Sequence, residues 1–384
     1  MDTTILRKRF KEKFNNTGDL FFAPGRINLI GEHTDYNGGF VLPGAVDKGI
    51  TVEISPNGSR IVKVLAIDIS PKNNYAEFDL DSSFQPEQHW AGYVFGVCKE
   101  MQKRGIKVGG FDATFSGDVP LGAGMSSSAA LESAFAVAIN KLFASNLLDR
   151  FELAKIGQAT EHNYCGIKCG IMDQFASLFG KENCLIRLDC RSMEYDYFPF
   201  DPKGYKLLLI NSGVKHTLGT EYNDRRESCE KIVEMMSKSY PHVESLRDVS
   251  LNMLKTIKDE ADETDYKRAK YIIEEKERVL DVCNALNDGD YELVGKKMYE
   301  THWGLSRDYT VSCEELDFLV TLAQENGVTG SRIMGGGFGG CTINLVRDTL
   351  ENSFISLAKR QFFKKYGQAP TIHPIVISEG AKQI

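Results

Sequence analysis

FDATFSGDVPLGAGMSSSAALESAFAVAINKL, residues 111–142, passes through three patterns in succession. Phe111, Ala113 and Phe115 alternate with Asp112, Thr114 and Ser116, the period of a half-buried strand, until Gly117-Asp118-Val119-Pro120 breaks it. A loop of small residues follows, Gly122-Ala123-Gly124-Met125-Ser126-Ser127-Ser128, and runs into an Ala-rich helical segment, Ala129 to Leu142, with one apolar face. Glycines at 122 and 124 permit positive φ and close backbone approach. The serines fall where a helix begins, where unpaired N–H groups and the positive end of the helix dipole favour an anion. The stretch reads as a cradle for nucleotide phosphates, against the alternative that Ser126 to Ser128 only cap a helix. No G-x-x-x-x-G-K-[ST] occurs in the chain, so a metal ion and an arginine from elsewhere must neutralise the phosphates.

An arginine opens the second dense stretch, GRINLIGEHTDYNGGFVLP, residues 25–43. Arg26, Asn28, Glu32, His33, Asp35, Tyr36 and Asn37 are threaded there with Ile27, Leu29, Ile30, Phe40, Val41 and Leu42, so parts of the stretch must be buried. Buried polar groups need partners, and a ligand rich in hydroxyls, such as a sugar, would satisfy them. An internal hydrogen-bonded turn of Glu32, His33 and Asp35 is the competing reading. A zinc site is disfavoured because a second histidine is missing.

A helix over Phe151 to Tyr164 carries Glu161 near its end, and the irregular loop after it sets Asp173 between Met172 and Phe175. A carboxylate so flanked is paired, functional, or an N-cap of a helix from Gln174 to Leu178. Strands are expected on both sides of Asn57-Gly58 as a hairpin, and again from Leu185 to Leu209. Beyond these the chain turns helical: Tyr222 to Lys238, Leu246 to Glu260, Asp265 to Leu286, Asp290 to Leu305 and Cys313 to Glu325. Gly335-Gly336-Gly337-Phe338-Gly339-Gly340 then lets the backbone pass close to a ligand or another loop, and Leu350 to Tyr366 and Ile372 to Ile377 read as a last helix and a final strand.

At 384 residues the chain is long enough for two domains, which we place at 1–200 and 201–384. A net charge of −7 argues against a nucleic-acid or anionic-membrane surface. Nine cysteines without a C-x-x-C, and a charged N-terminal helix with no apolar core, point to free thiols in a reducing cytoplasm. No apolar run approaches the roughly 18 residues of a membrane span.

In this order the three stretches resemble the kinases of small molecules that include galactokinase, homoserine kinase, mevalonate kinase and phosphomevalonate kinase. PLGAGMSSSAA is similar to the phosphate motif of that family and MGGGFGGC to its C-terminal glycine motif, while residues 25–43 resemble the galactokinase signature over their whole length. Met125 stands where leucine is commoner, a volume-conserving change. The resemblance implies an α+β chain of two domains, the first with a mixed, mostly antiparallel sheet and the second helix-rich, with the active site in the cleft between them. It implies ATP and Mg²⁺ as cofactors and galactose as substrate, while the net charge leaves neither nucleic acid nor membrane as an expected partner and a monomer is expected.

By the same resemblance Arg26 would neutralise the transferring phosphoryl group, and Asp173 would be the base that takes the proton of the anomeric hydroxyl. Glu32, His33, Thr34, Asp35 and Tyr222 would hold the sugar. Gly122, Ala123, Gly124, Met125, Ser126, Ser127 and Ser128 would wrap the ATP phosphates, Ser128 and Glu161 would hold Mg²⁺, and Ser70 would touch the nucleotide. Two other readings are a kinase for N-acetylgalactosamine or arabinose, and a sugar-sensing regulator without catalysis. The second predicts damage at the phosphate loop or the base, whereas both are intact here.

Overall fold

The computed structural model describes residues 3–120, 124–214 and 220–384. A six-stranded sheet runs in the order Lys382–Gln383, Asp19–Asn28, Pro43–Pro56, Phe111–Gly117, Ile61–Ala66, Tyr75–Asp79. Its pairings are antiparallel except for Ile61–Ala66 beside Phe111–Gly117. That parallel pair corrects the expected hairpin at Asn57-Gly58. Phe111–Gly117 slots between the two strands the turn was thought to join, reached through a crossover that includes the helix His89–Lys103. Asn57 ties the corner to the incoming strand, its amide donating to Asp112 at 2.9 Å and its backbone N–H to the Gly110 carbonyl at 3.1 Å. Phe111, Ala113 and Phe115 thereby enter the core under the helices His89–Lys103 and Ser127–Ala144.

A second sheet of four strands runs Gly330–Ile333, Cys341–Arg347, Tyr205–Asn211, Thr371–Ile375. Leu207 and Leu209 of its interior strand face one core, and Leu208 and Ile210 the other, so the apolar run is buried on both sides. Helices Thr220–Ser239, Glu263–Asp288, Tyr291–Arg307, Glu314–Glu325 and Glu351–Tyr366 make this half helix-rich. The helix expected from Leu246 to Glu260 is instead broken, because Ser245 and Ser250 each cap a new start, at Leu246–Asp248 and Leu251–Lys255. The architecture is the two-domain α+β fold.

Ile27, Leu29, Ile30 and Leu42 of the glycine-punctuated stretch share one core with Leu207, Val279, Met334 and Ile343 from the second half. The stretch is therefore the seam between the halves, and its Arg26, Glu32, His33 and Asp35 open into the cleft there.

Candidate active site

A cavity of about 250 Å³ lies in this cleft, lined by residues of the seam, of the loop before helix Ser127–Ala144, of the segment 161–174, and by Tyr222, Gly335 and Gly336. Arg26 and Asp173 both line it. The Arg26 guanidinium, 5% exposed, grips the Asp173 carboxylate with two bonds, Nε to Oδ1 at 2.8 Å and Nη2 to Oδ2 at 2.7 Å. Such a fork fixes orientation as well as charge. Asp173 is the second residue of helix Met172–Phe179 and does not cap it; that position belongs to Ile171.

Ser126 adopts a left-handed φ of 51° and, instead of capping the helix, turns its hydroxyl onto Asp173 Oδ2. The capping alternative therefore fails for Ser126. Arg26 also holds the phosphate-loop backbone, donating from Nη1 to the Gly124 carbonyl and from its N–H to the Met125 carbonyl at 3.1 Å. Gly124 (φ 69°) and Gly335 (φ 81°) meet back to back, so the glycine-rich loop closes on the phosphate loop. Ser127 and Ser128 open the helix and face the cavity.

On the seam side, Glu32 is 2% exposed and accepts from Arg332 Nη2 and the Gly335 N–H, both at 2.8 Å. Burial pushes its pKa up, but Arg332 and Arg26 outweigh it and hold the carboxyl ionised below its usual range. Burial likewise opposes the Arg26 cation, and Asp173, Glu32 and Asp35 overcome it, leaving the pKa raised. Among the described residues no cation pairs directly with Asp35. Burial, then the Asp173 charge, push it up to about 7.

His33 is boxed by aromatic rings, Tyr309 at 4.8 Å, Tyr222 at 5.4 Å and Tyr36 at 5.8 Å between centroids. Its Nδ1 meets the Tyr36 hydroxyl at 2.7 Å, which meets Tyr309 at 2.7 Å. Burial drives its pKa down to about 4, so the ring is neutral, and its buried Nε2 has no protein partner.

Glu161 sits on a single π turn, Glu161–Cys165, that ends the helix Arg150–Thr160, a distortion that re-aims side chains. Burial pushes its pKa up to about 7, and the Ser128 hydroxyl donates to it. Its Oε2 is buried without a partner. A hydroxyl and an under-satisfied carboxylate beside a phosphate-binding loop fit a hard cation that takes its remaining ligands from phosphate and water.

The structure thus brings together Arg26, Glu32, His33, Asp35, Gly124, Met125, Ser126, Ser127, Ser128, Glu161, Asp173 and Tyr222 around one cavity. Gly122 and Ala123 lie outside the described residues. Thr34 does not line the cavity: its hydroxyl bonds the Gly31 and Phe40 carbonyls at 2.9 and 2.6 Å, and its own carbonyl accepts from Asn37 and Gly39. Ser70 is exposed on the turn after Ile61–Ala66, also outside the lining. Sequence reasoning missed Arg332, wholly buried in the strand Gly330–Ile333, and the Tyr36–Tyr309 pair. A lone arginine between Ser331 and Ile333, in a strand otherwise bound for the core, was the available signal.

Residues 8–56 match the galactokinase galactose-binding signature, residues 92–181 the GHMP kinase N-terminal domain and residues 284–364 the GHMP kinase C-terminal domain. A galactokinase of Thermosipho africanus is 40% identical over 94% of this chain and 99% of its own. One from Clostridium acetobutylicum is 38% identical over 99% and 98%. The crystal structure of Lactococcus lactis galactokinase complexed with galactose superposes with a TM-score of 0.94 at 32% identity, covering 98% of both chains. Mevalonate kinase of Methanococcus jannaschii shares the fold, with a TM-score of 0.67 at 17% identity over 95% of this chain and 99% of that one. With such relatives matched along nearly its entire length, the chain belongs to the galactokinase family of the GHMP kinases.

Proposed function

We propose that this ATP-dependent sugar kinase transfers the γ-phosphate of ATP to the anomeric hydroxyl of α-D-galactose, giving galactose 1-phosphate and ADP, the first committed step of galactose catabolism. One observation carries the reading: the Arg26 fork on Asp173 stands between the residues of the sugar signature and those of the phosphate loop. Glu32, His33 and Asp35, with Tyr222 from helix Thr220–Ser239, bind the sugar, and Thr34 holds the turn from which the first three project. The unpartnered His33 Nε2 suits a sugar hydroxyl. Gly122 to Ser128 wrap the phosphates, and Ser70 reaches the nucleotide from outside the cavity. Residues 1–200 supply the sugar signature and phosphate loop, and 201–384 the glycine-rich loop that closes on them.

The Asp173 carboxylate accepts the anomeric proton as that oxygen attacks the γ-phosphorus in line with the departing ADP. Arg26 keeps the base aimed and offsets charge on the transferring group. Ser126 gives up its bond to Asp173 and donates to a phosphate oxygen. Ser128 and Glu161 would hold Mg²⁺, which when bound neutralises phosphate charge. The reaction takes place in the cytoplasm, a setting that suits nine unpaired thiols. Asp173→Asn tests the assignment: turnover is expected to fall at least a hundredfold while galactose still binds. Turnover within a few-fold of wild type would remove Asp173 from the base role.

A further inference from the structure

Next to the base, Gln174 lines the same cavity and is only 1% exposed. Its Nε2 donates to Glu132 Oε2 at 3.0 Å, while its Oε1 is buried without a partner. Glu132, also 1% exposed, follows Ser128 by one turn on the same face of helix Ser127–Ala144, and its Oε1 likewise lacks a partner. The fold makes room for the pair. Gly157 lies within the helix Arg150–Thr160, and a Cβ there would come within 2.6 Å of Gln174 Cγ and 3.1 Å of Glu132 Oε2. A glycine inside a helix lowers helix stability, so space at this point is being kept.

We propose that Gln174 is a further contact residue of the transfer site, its amide oxygen accepting from a water on the cation that Ser128 and Glu161 would hold. Glu132 is the positioning residue that aims it. The inference rests on the metal reading above. Two features place the pair on the metal side and not the sugar side. Glu132 shares its helix face with Ser128, and Gly157, which makes room for the pair, belongs to the helix that ends at the π turn of Glu161. A glutamine at 132 would still offer an oxygen to Gln174 Nε2, so it should replace the carboxylate.

The experiment uses the full chain with galactose and a non-hydrolysable ATP analogue, titrated with Mn²⁺ and read by electron paramagnetic resonance. Gln174→Leu should weaken Mn²⁺ by about 10- to 100-fold, the range seen when an outer-shell partner is lost. Its galactose affinity without nucleotide should stay at the wild-type value. Glu132→Leu should follow it, whereas Glu132→Gln should keep wild-type affinity. Wild-type Mn²⁺ affinity in Gln174→Leu, or a parallel loss of galactose affinity, would overturn the inference and leave the metal reading standing. No Mn²⁺ binding by the wild-type ternary complex would overturn both.

Discussion

Asp173 and Arg26 form a half-buried pair whose two bonds leave the carboxylate little freedom to turn. Lysine in place of Arg26 would keep the charge but supply a single point donor, so the carboxylate could rotate away from the anomeric oxygen. Arg26→Lys should therefore reduce kcat at least tenfold with little change in galactose affinity, in a coupled ADP-release assay set beside calorimetry. Asp35 carries a pH signature. Its pKa is about 7 in the folded chain, above the ordinary 3.8, so it contributes stability that is complete below about pH 4 and is lost as pH rises through 7. Asp35→Asn should remove that loss and melt higher than wild type at pH 8 in the ligand-free state. Equal melting temperatures at pH 8 would argue against a buried, raised Asp35. His33, with its pKa near 4, adds no titration to sugar binding between pH 6 and 8.

At the scale of elements, the segment between the π turn and helix Met172–Phe179 presses directly on the sugar side of the cleft. A Cβ on Gly170 would fall 1.9 Å from Asp35 Oδ2, so even alanine must displace that carboxylate. Gly170→Ala should raise the galactose KM tenfold or more while the KM for ATP hardly moves, since a displacement of about an ångström can cost a hundredfold. Unchanged galactose KM would show that the cleft tolerates the shift. These elements differ in how legible they were. Residues 111–142 and 25–43 announced themselves because phosphate and sugar binding need small and polar residues crowded in sequence, and Asp173 stood out between Met172 and Phe175. The hairpin at Asn57-Gly58 misled because a local turn signal says nothing about a third strand entering from over 50 residues away. Lys382–Gln383, two exposed polar residues pairing at a sheet edge with Phe21 and Phe22, offers no pattern to read.

Across the whole molecule, the contact hidden from the sequence is the one that joins the halves. Arg332, in the second sheet, reaches the Leu29 carbonyl at 2.8 Å and Glu32 at 2.8 Å, some 300 positions earlier in the chain. Nothing in either stretch alone names the other as partner. Arg332→Met would strand Glu32 as a buried, uncompensated charge, so urea unfolding should show a loss of about 3–5 kcal/mol, provided the chain still unfolds in one step. A loss under about 1 kcal/mol would mean the pair is not what holds the cleft together. Galactose and a nucleotide analogue, each at 100 times its Kd, should each add about 2.7 kcal/mol.

The most direct test of the central claim is ³¹P nuclear magnetic resonance of the product formed from ATP, Mg²⁺ and galactose, with glucose in a parallel sample. Galactose should give a sugar 1-phosphate and ADP rapidly. Glucose, whose 4-hydroxyl leaves a polar group of the cleft unpaired, should give little. Phosphate on another oxygen, equal turnover of the two sugars, or galactose bound without ADP release would contradict the claim.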